Sequence, residues 1–132
     1  MVPKHSRLVA WLLVLAWCGV IFWFSSIPSL GTGLGFWDLV IRKAAHMAEY
    51  ATLMILLLRT RIPVWAALGL GLLYAVSDEW HQTYVAGREG RPRDIAFDAI
   101  GLLLGLAITR AVARRRATAR ADEARRLKSV EP

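Results

Sequence analysis

The chain of 132 residues has a single cysteine, Cys18, so it can form no intrachain disulfide and carries no zinc-type cysteine pair. It also lacks a P-loop and a Rossmann glycine pattern, which removes the common nucleotide-binding signatures. Cys18 lies inside an apolar run and reads as a packed small hydrophobe. Acidic residues are few, 10 against 17 basic, giving a net charge of +7. The shortage is greatest at the end of the chain. From Arg110 onward eight basic residues meet only Asp122, Glu123 and Glu131. No aromatic residue interleaves these arginines, which argues against a stacking surface for nucleic acid. A basic block beside an apolar helix suits anionic lipid at a cytoplasmic membrane face.

What the chain has in abundance is apolar surface. It is 56% hydrophobic with a mean hydropathy of +0.41, more than a domain this small readily buries in water. Four apolar segments follow one another. The first, Leu8 to Ile27, is long enough to cross the ~30 Å of bilayer hydrocarbon. It exceeds the ~7–15 residues of a signal-peptide core and is rich in tryptophan, so a retained helix is expected. Pro28 to Gly35 reads as a loop. The second and third segments are short by hydropathy alone. Each reaches membrane length only if its helix continues through a polar end. The fourth runs from about Ile95 to Val112. The expected architecture is all-α: an integral membrane four-helix bundle with helices over 8–27, 43–59, 63–84 and 94–113. Together these form one domain, 1–113, followed by a basic cytoplasmic tail, 114–132, flexible or helical on the membrane surface.

Four crossings put the N-terminus, the Arg59–Pro63 turn and the tail on one side, with twelve basic residues. The other side holds five: Arg42, Lys43, Arg88, Arg91 and Arg93. The bias makes both termini cytoplasmic and the protein a multi-pass component of the cell membrane. The same count places His46, Glu49, Asp78, Glu79, His81, Gln82, Asp94 and Asp98 at one depth near the outer surface. Helical spacing adds direction. Lys43, His46, Glu49 and Tyr50 share one face, as do Tyr74, Asp78, His81 and Gln82. Asp94, Asp98, Gly101 and Gly105 form a third stripe, whose small residues admit a close neighbour. A shared polar pocket shielded from lipid follows.

The stretches KAAHMAEY (43–50), SDEWHQ (77–82), GREG (87–90) and DIAFDAIG (94–101), with FWFSSIP (22–28) before them, resemble the VanZ-like family of small membrane proteins. The resemblance spans roughly residues 8–112. It implies a cell-envelope membrane protein, from a family named for a protein linked to resistance against the glycopeptide teicoplanin.

Three readings of the polar cluster stand side by side. In the first it is a structural network, with Lys43 and the arginines neutralising Asp78, Glu79, Asp94 and Asp98. In the second it binds an anionic envelope lipid, a cell-wall precursor or a glycopeptide-related ligand. Lys43, Tyr50, Gln82, Arg88 and Arg91 are then the binding residues, since arginine forks suit phosphate and carboxylate. In the third it is a membrane-embedded hydrolase or phosphotransferase acting on a lipid phosphate. His46, Glu49, Asp78, Glu79, His81, Asp94 and Asp98 are the catalytic candidates for that reading. The pairs His46/Glu49 and Asp78/His81 each set a histidine one turn from a carboxylate, a spacing that bundle metal sites use, so a divalent metal is the candidate cofactor. Anionic head groups are the expected partners, nucleic acid is not, and an oligomer is compatible with the sequence.

Overall fold

The computed structural model describes residues 4–28, 36–88 and 90–130. Among them are four helices and no strand: α1 (Lys4–Ser26), α2 (Phe36–Arg59), α3 (Val64–Gln82) and α4 (Pro92–Val130). The loop expected at 28–35 lies, from residue 29, outside the described residues, as does Glu89 of the GREG motif. α2 begins at Phe36, upstream of the expected 43. Asp38, Arg42 and Lys43 lower the local hydropathy, yet no proline or glycine interrupts the chain from Phe36 to Arg59. α4 opens with proline at its first helical position, where the missing N–H costs nothing. It then runs 39 residues, about 58 Å at 1.5 Å per residue, straight through the basic tail. From Leu106 to Val130 there is neither glycine nor proline, and alanine, arginine and leucine are strong helix formers.

The helices pack around α2, which touches all three others and lies most extensively against α4. Register shows the directions. Lys43 meets Asp94, His46 meets Asp98, and Gly101 and Gly105 lie against Met47 and Ala51, so α2 and α4 run parallel. On the other flank Cys18 O accepts from Tyr74, Ser25 bonds Asp78 and Ser26 meets His81, so α1 and α3 are parallel too. Glycine makes the α2–α4 approach possible. A Cβ on Gly101 would stand 2.5 Å from the Met47 carbonyl oxygen, and one on Gly105 would collide with the Ala51 carbonyl. The sequence stripe of carboxylates and glycines on α4 thus faces α2.

Polarity is distributed inside out. Val14, Ile21, Tyr50, Leu53, Met54, Leu57, Leu102 and Leu106 form a narrow apolar core. Ser25, Asp78, Glu79, Gln82 and Asp98 are buried beside it. Leu8, Leu12, Leu15, Trp23, Ile41, Leu73, Val76, Leu103 and Ile108 are exposed, spread over all four helices. Among the described residues two helices are long and apolar enough to cross a membrane: Arg7–Ser26 within α1 and Pro92–Leu127 within α4. Trp23, Trp37, Trp65 and Trp80 stand exposed near helix ends, while the Trp17 indole turns inward and donates to Glu49 O at 2.9 Å.

Candidate functional site

The start of α2, the end of α3 and the start of α4 enclose a polar cavity of about 580 Å³. Parallel α2 and α4 bring their N-terminal turns to the same level, and α3 reaches that level with its last turn. Lys43, His46, Glu79, Gln82, Arg88, Arg91, Asp94 and Asp98 all line the cavity. Arg42, Arg93, Leu39 and Gly87 line it as well. Arg93 is among the cations the sequence suits to an anion, but Arg42 enters there only as an outer charge. Its position next to Lys43 is the signal that could have found it.

Two rungs tie α2 to α4 along one wall. Lys43 pairs with Asp94, and its ammonium lies 4.9 Å from the centre of the Phe97 ring. One turn deeper, His46 Nδ1 is 3.3 Å from Asp98 Oδ1, with Asp98 only 1% exposed. On the facing wall Glu79 Oε2 accepts the backbone N–H of Arg91 at 2.9 Å, which fixes the α3–α4 loop against α3. Gln82 Nε2 donates to Asp78 Oδ2 at 3.0 Å and approaches Glu79 Oε1 at 3.5 Å.

Arg88 has a different duty from the one its charge suggested. Its Nε donates to Ile27 O at 3.0 Å, one terminal nitrogen to Phe24 O at 2.9 Å and the other to Gln82 Oε1 at 3.3 Å. Carbonyls at a helix C-terminus have no intrahelical partner, and Arg88 supplies one at the end of α1. Its side chain lines the cavity yet works as a clamp between α1 and the α3–α4 loop. Gly87, at φ 73°, makes the turn that aims it. Burial, and after it the nearby Arg42 guanidinium, pull the Arg88 pKa below its ordinary value.

Of the residues expected to converge (His46, Glu49, Asp78, His81 and Asp94 or Asp98), His46, Asp94 and Asp98 line the cavity, while Asp78 and His81 bond to α1. His81 is stacked on Phe22, ring centres 4.2 Å apart, with Nε2 3.0 Å from the Ser26 hydroxyl. Asp78 Oδ2 accepts from Ser25 at 2.8 Å. Asp78 and His81, three residues apart, turn toward α1, whereas Glu79 and Gln82, also three apart, line the cavity. Glu49 and Tyr50 lie deeper on α2. Glu49 Oε2 and the Tyr50 hydroxyl are buried without a hydrogen-bond partner among the described residues. Of the metal candidates, His46, Glu49 and Asp78 lie close enough to act on one another's charge, whereas His81 turns to Phe22 and Ser26. Among the described residues no group of three or more His, Cys, Asp or Glu side chains is placed to hold a metal ion. Ser25 and Ser26, part of the FWFSSIP resemblance but without an expected role, are partners of Asp78 and His81. The signal was the serine pair at the end of the first apolar run, level with the polar end of the third.

Two helices long and apolar enough to cross a membrane, with an interior of charged and amide side chains, support a helical, membrane-associated protein. The chain belongs to the VanZ/LLP1 family, whose model matches residues 10–113, from α1 through α4 as far as Ala113. No curated protein and no solved structure matches the chain.

Proposed function

We propose that this protein is a four-span membrane protein of the cell envelope whose outward-facing cavity binds the anionic group of an envelope lipid or lipid-linked cell-wall precursor. The observation that carries the reading is the charge of the cavity lining. Arg42, Lys43, Arg88, Arg91 and Arg93 stand against Glu79, Asp94 and Asp98, an excess of two positive charges with His46 neutral. Lys43 pairs with Asp94, Arg93 Nε stands 4.0 Å from the same carboxylate, and Glu79 receives a backbone N–H. Guanidinium groups gathered at a partly closed surface recognise phosphate or carboxylate in paired hydrogen bonds.

Arg88 and Arg91 separate binding from structure. In Arg91→Gln the bond to Glu79 survives, because it comes from the backbone. Retention of phosphatidic acid over phosphatidylcholine, read by native mass spectrometry, is expected to fall, with a small change in thermal stability. In Arg88→Gln the α1 clamp is lost, and stability is expected to fall by about 1.5–3 kcal/mol, the worth of hydrogen bonds from a charged donor. Equal losses of stability in both variants would favour a structural network instead.

Both termini lie on the cytoplasmic side in this reading, as the basic bias requires. In a Cys18→Ser background, a cysteine placed within residues 29–35 is expected to react with an impermeant maleimide on intact cells. One at Ala119 is expected to react only after lysis. The reverse pattern overturns the orientation.

One geometric observation favours a second reading. The imidazole of His46, held by Asp98 at 3.3 Å, lines the cationic cavity. A carboxylate-oriented histidine is the arrangement of a general base or nucleophile, here toward a lipid phosphate. Phosphate release from phosphatidic acid that is lost in Asp98→Asn, with lipid retention intact, would establish it.

A further inference from the structure

A second hollow of about 510 Å³ adjoins the polar cavity, between the first half of α2 and the start of α4. Its walls are apolar: Leu39, Val40, Ala44, Met47 and Phe97. Lys43 and Arg93 complete the lining, and with Leu39 they also line the polar cavity, so the two spaces share a border. The border is built from one side chain with two partners. Lys43 places its ammonium between Asp94 on the polar side and the face of Phe97 on the apolar side. Ala44 contributes the smallest side chain of the lining. Leu39 and Val40 are 45% and 38% exposed, so the groove opens outward between the two helices.

Its neighbour determines what suits the groove. A hydrophobic occupant alone would gain nothing from two cations at one end. A soluble anion would gain nothing from the apolar walls. A molecule with a phosphate at one end and a hydrocarbon chain at the other satisfies both. We infer that the site is bipartite and takes a phosphate-bearing membrane lipid, its head group in the cationic cavity and one hydrocarbon chain in the α2–α4 groove past Lys43 and Arg93. This rests on the reading of the cavity as an anion site and adds the ligand class, the position of its chain and the side from which it enters. In a four-span arrangement the groove lies at the outer end of α2 and α4, so the lipid comes from the outer leaflet. Arg93, with its side chain 64% exposed, stands where the head group passes.

The test uses phosphatidic acid and phosphatidylcholine carrying the same photoactivatable diazirine on one acyl chain, with the full-length protein in nanodiscs. Cross-links from the acid are expected on residues 39–47 and on Phe97, several-fold above those from the zwitterionic lipid. Ala44→Trp is expected to remove them, as is the milder Ala44→Leu in part, while native mass spectrometry still shows preference for the acidic head group. If the acid is preferentially retained but its chain labels all lipid-facing helices alike, or labels the groove equally in Ala44→Trp, the groove inference is overturned and the anion site stands. If the groove instead yields cross-links between two copies of the protein, its occupant is a second chain and the inference is overturned. If the acid is retained no better than phosphatidylcholine, the inference and the anion reading fall together.

Discussion

Replacing Gly105 by leucine is expected to destabilise the protein by about 3 kcal/mol or prevent its folding. The size follows from what stands opposite. A Cβ at this position collides with the Ala51 carbonyl and lies 2.9 Å from the Met54 Cβ, so backbone on α2 would have to move. A long flexible neighbour could give way, but a helix backbone tied by its own hydrogen bonds cannot. Gly101→Leu meets the Met47 backbone and is expected to behave alike. Gly69 has no atom within 4 Å of a built Cβ, so Gly69→Leu serves as the control with little expected loss. Thermal unfolding in detergent, followed by tryptophan fluorescence, distinguishes them. Similar losses at positions 69 and 105 would mean that the α2–α4 approach is not as close as described. A wedge here also spreads the Lys43–Asp94 and His46–Asp98 rungs above it, so Gly105→Leu should weaken anionic-lipid retention as well.

The second large effect is expected at Lys43. In Lys43→Met the Asp94 carboxylate loses its ion-pair partner. Breaking a fully buried pair from one side costs ~3–5 kcal/mol. Asp94 keeps about a fifth of its side-chain exposure and has the Arg93 Nε at 4.0 Å, so about 2 kcal/mol is the expected loss. Adding Asp94→Leu should recover most of it, because removing both charges removes the desolvation penalty along with the attraction. The four proteins form a double-mutant cycle, and a coupling near zero would show that the pair contributes no net stability. Anionic-lipid retention should fall in Lys43→Met and remain low in the double variant. Stability and binding thus part company.

Much of this arrangement is visible in the sequence because membrane helices separate residues by depth. His46 and Asp98 are far apart in the chain, but counting crossings puts both near one surface, and they meet. The stripe Asp94, Asp98, Gly101, Gly105 is legible because a helix repeats every 3.6 residues, and it does face a neighbour. That the neighbour is α2 is not legible, because periodicity gives a direction on one helix and no partner. The same limit explains His81. Its spacing from Asp78 puts both on one face of α3, but α3 has α1 on one flank and α4 on another. Only the packing shows that 78 and 81 turn to α1 while 79 and 82 line the cavity. In sequence Arg88 is a cation in a glycine-containing loop. The carbonyls of Phe24 and Ile27 that occupy it belong to the backbone, whose needs depend on where a helix ends. Hydropathy alone places the start of α2 later than Phe36, because charged residues lower hydropathy without breaking a helix.

The most direct test of the central claim is an experimental structure of the protein in nanodiscs containing phosphatidic acid. The expected result is head-group density in the cavity within hydrogen-bond distance of Arg91 or Arg42, with the Lys43–Asp94 and His46–Asp98 rungs in place beside it. A cavity holding only water, with the same arginines turned onto Glu79 and Asp94, would contradict an anion-binding site and leave a structural network of charges.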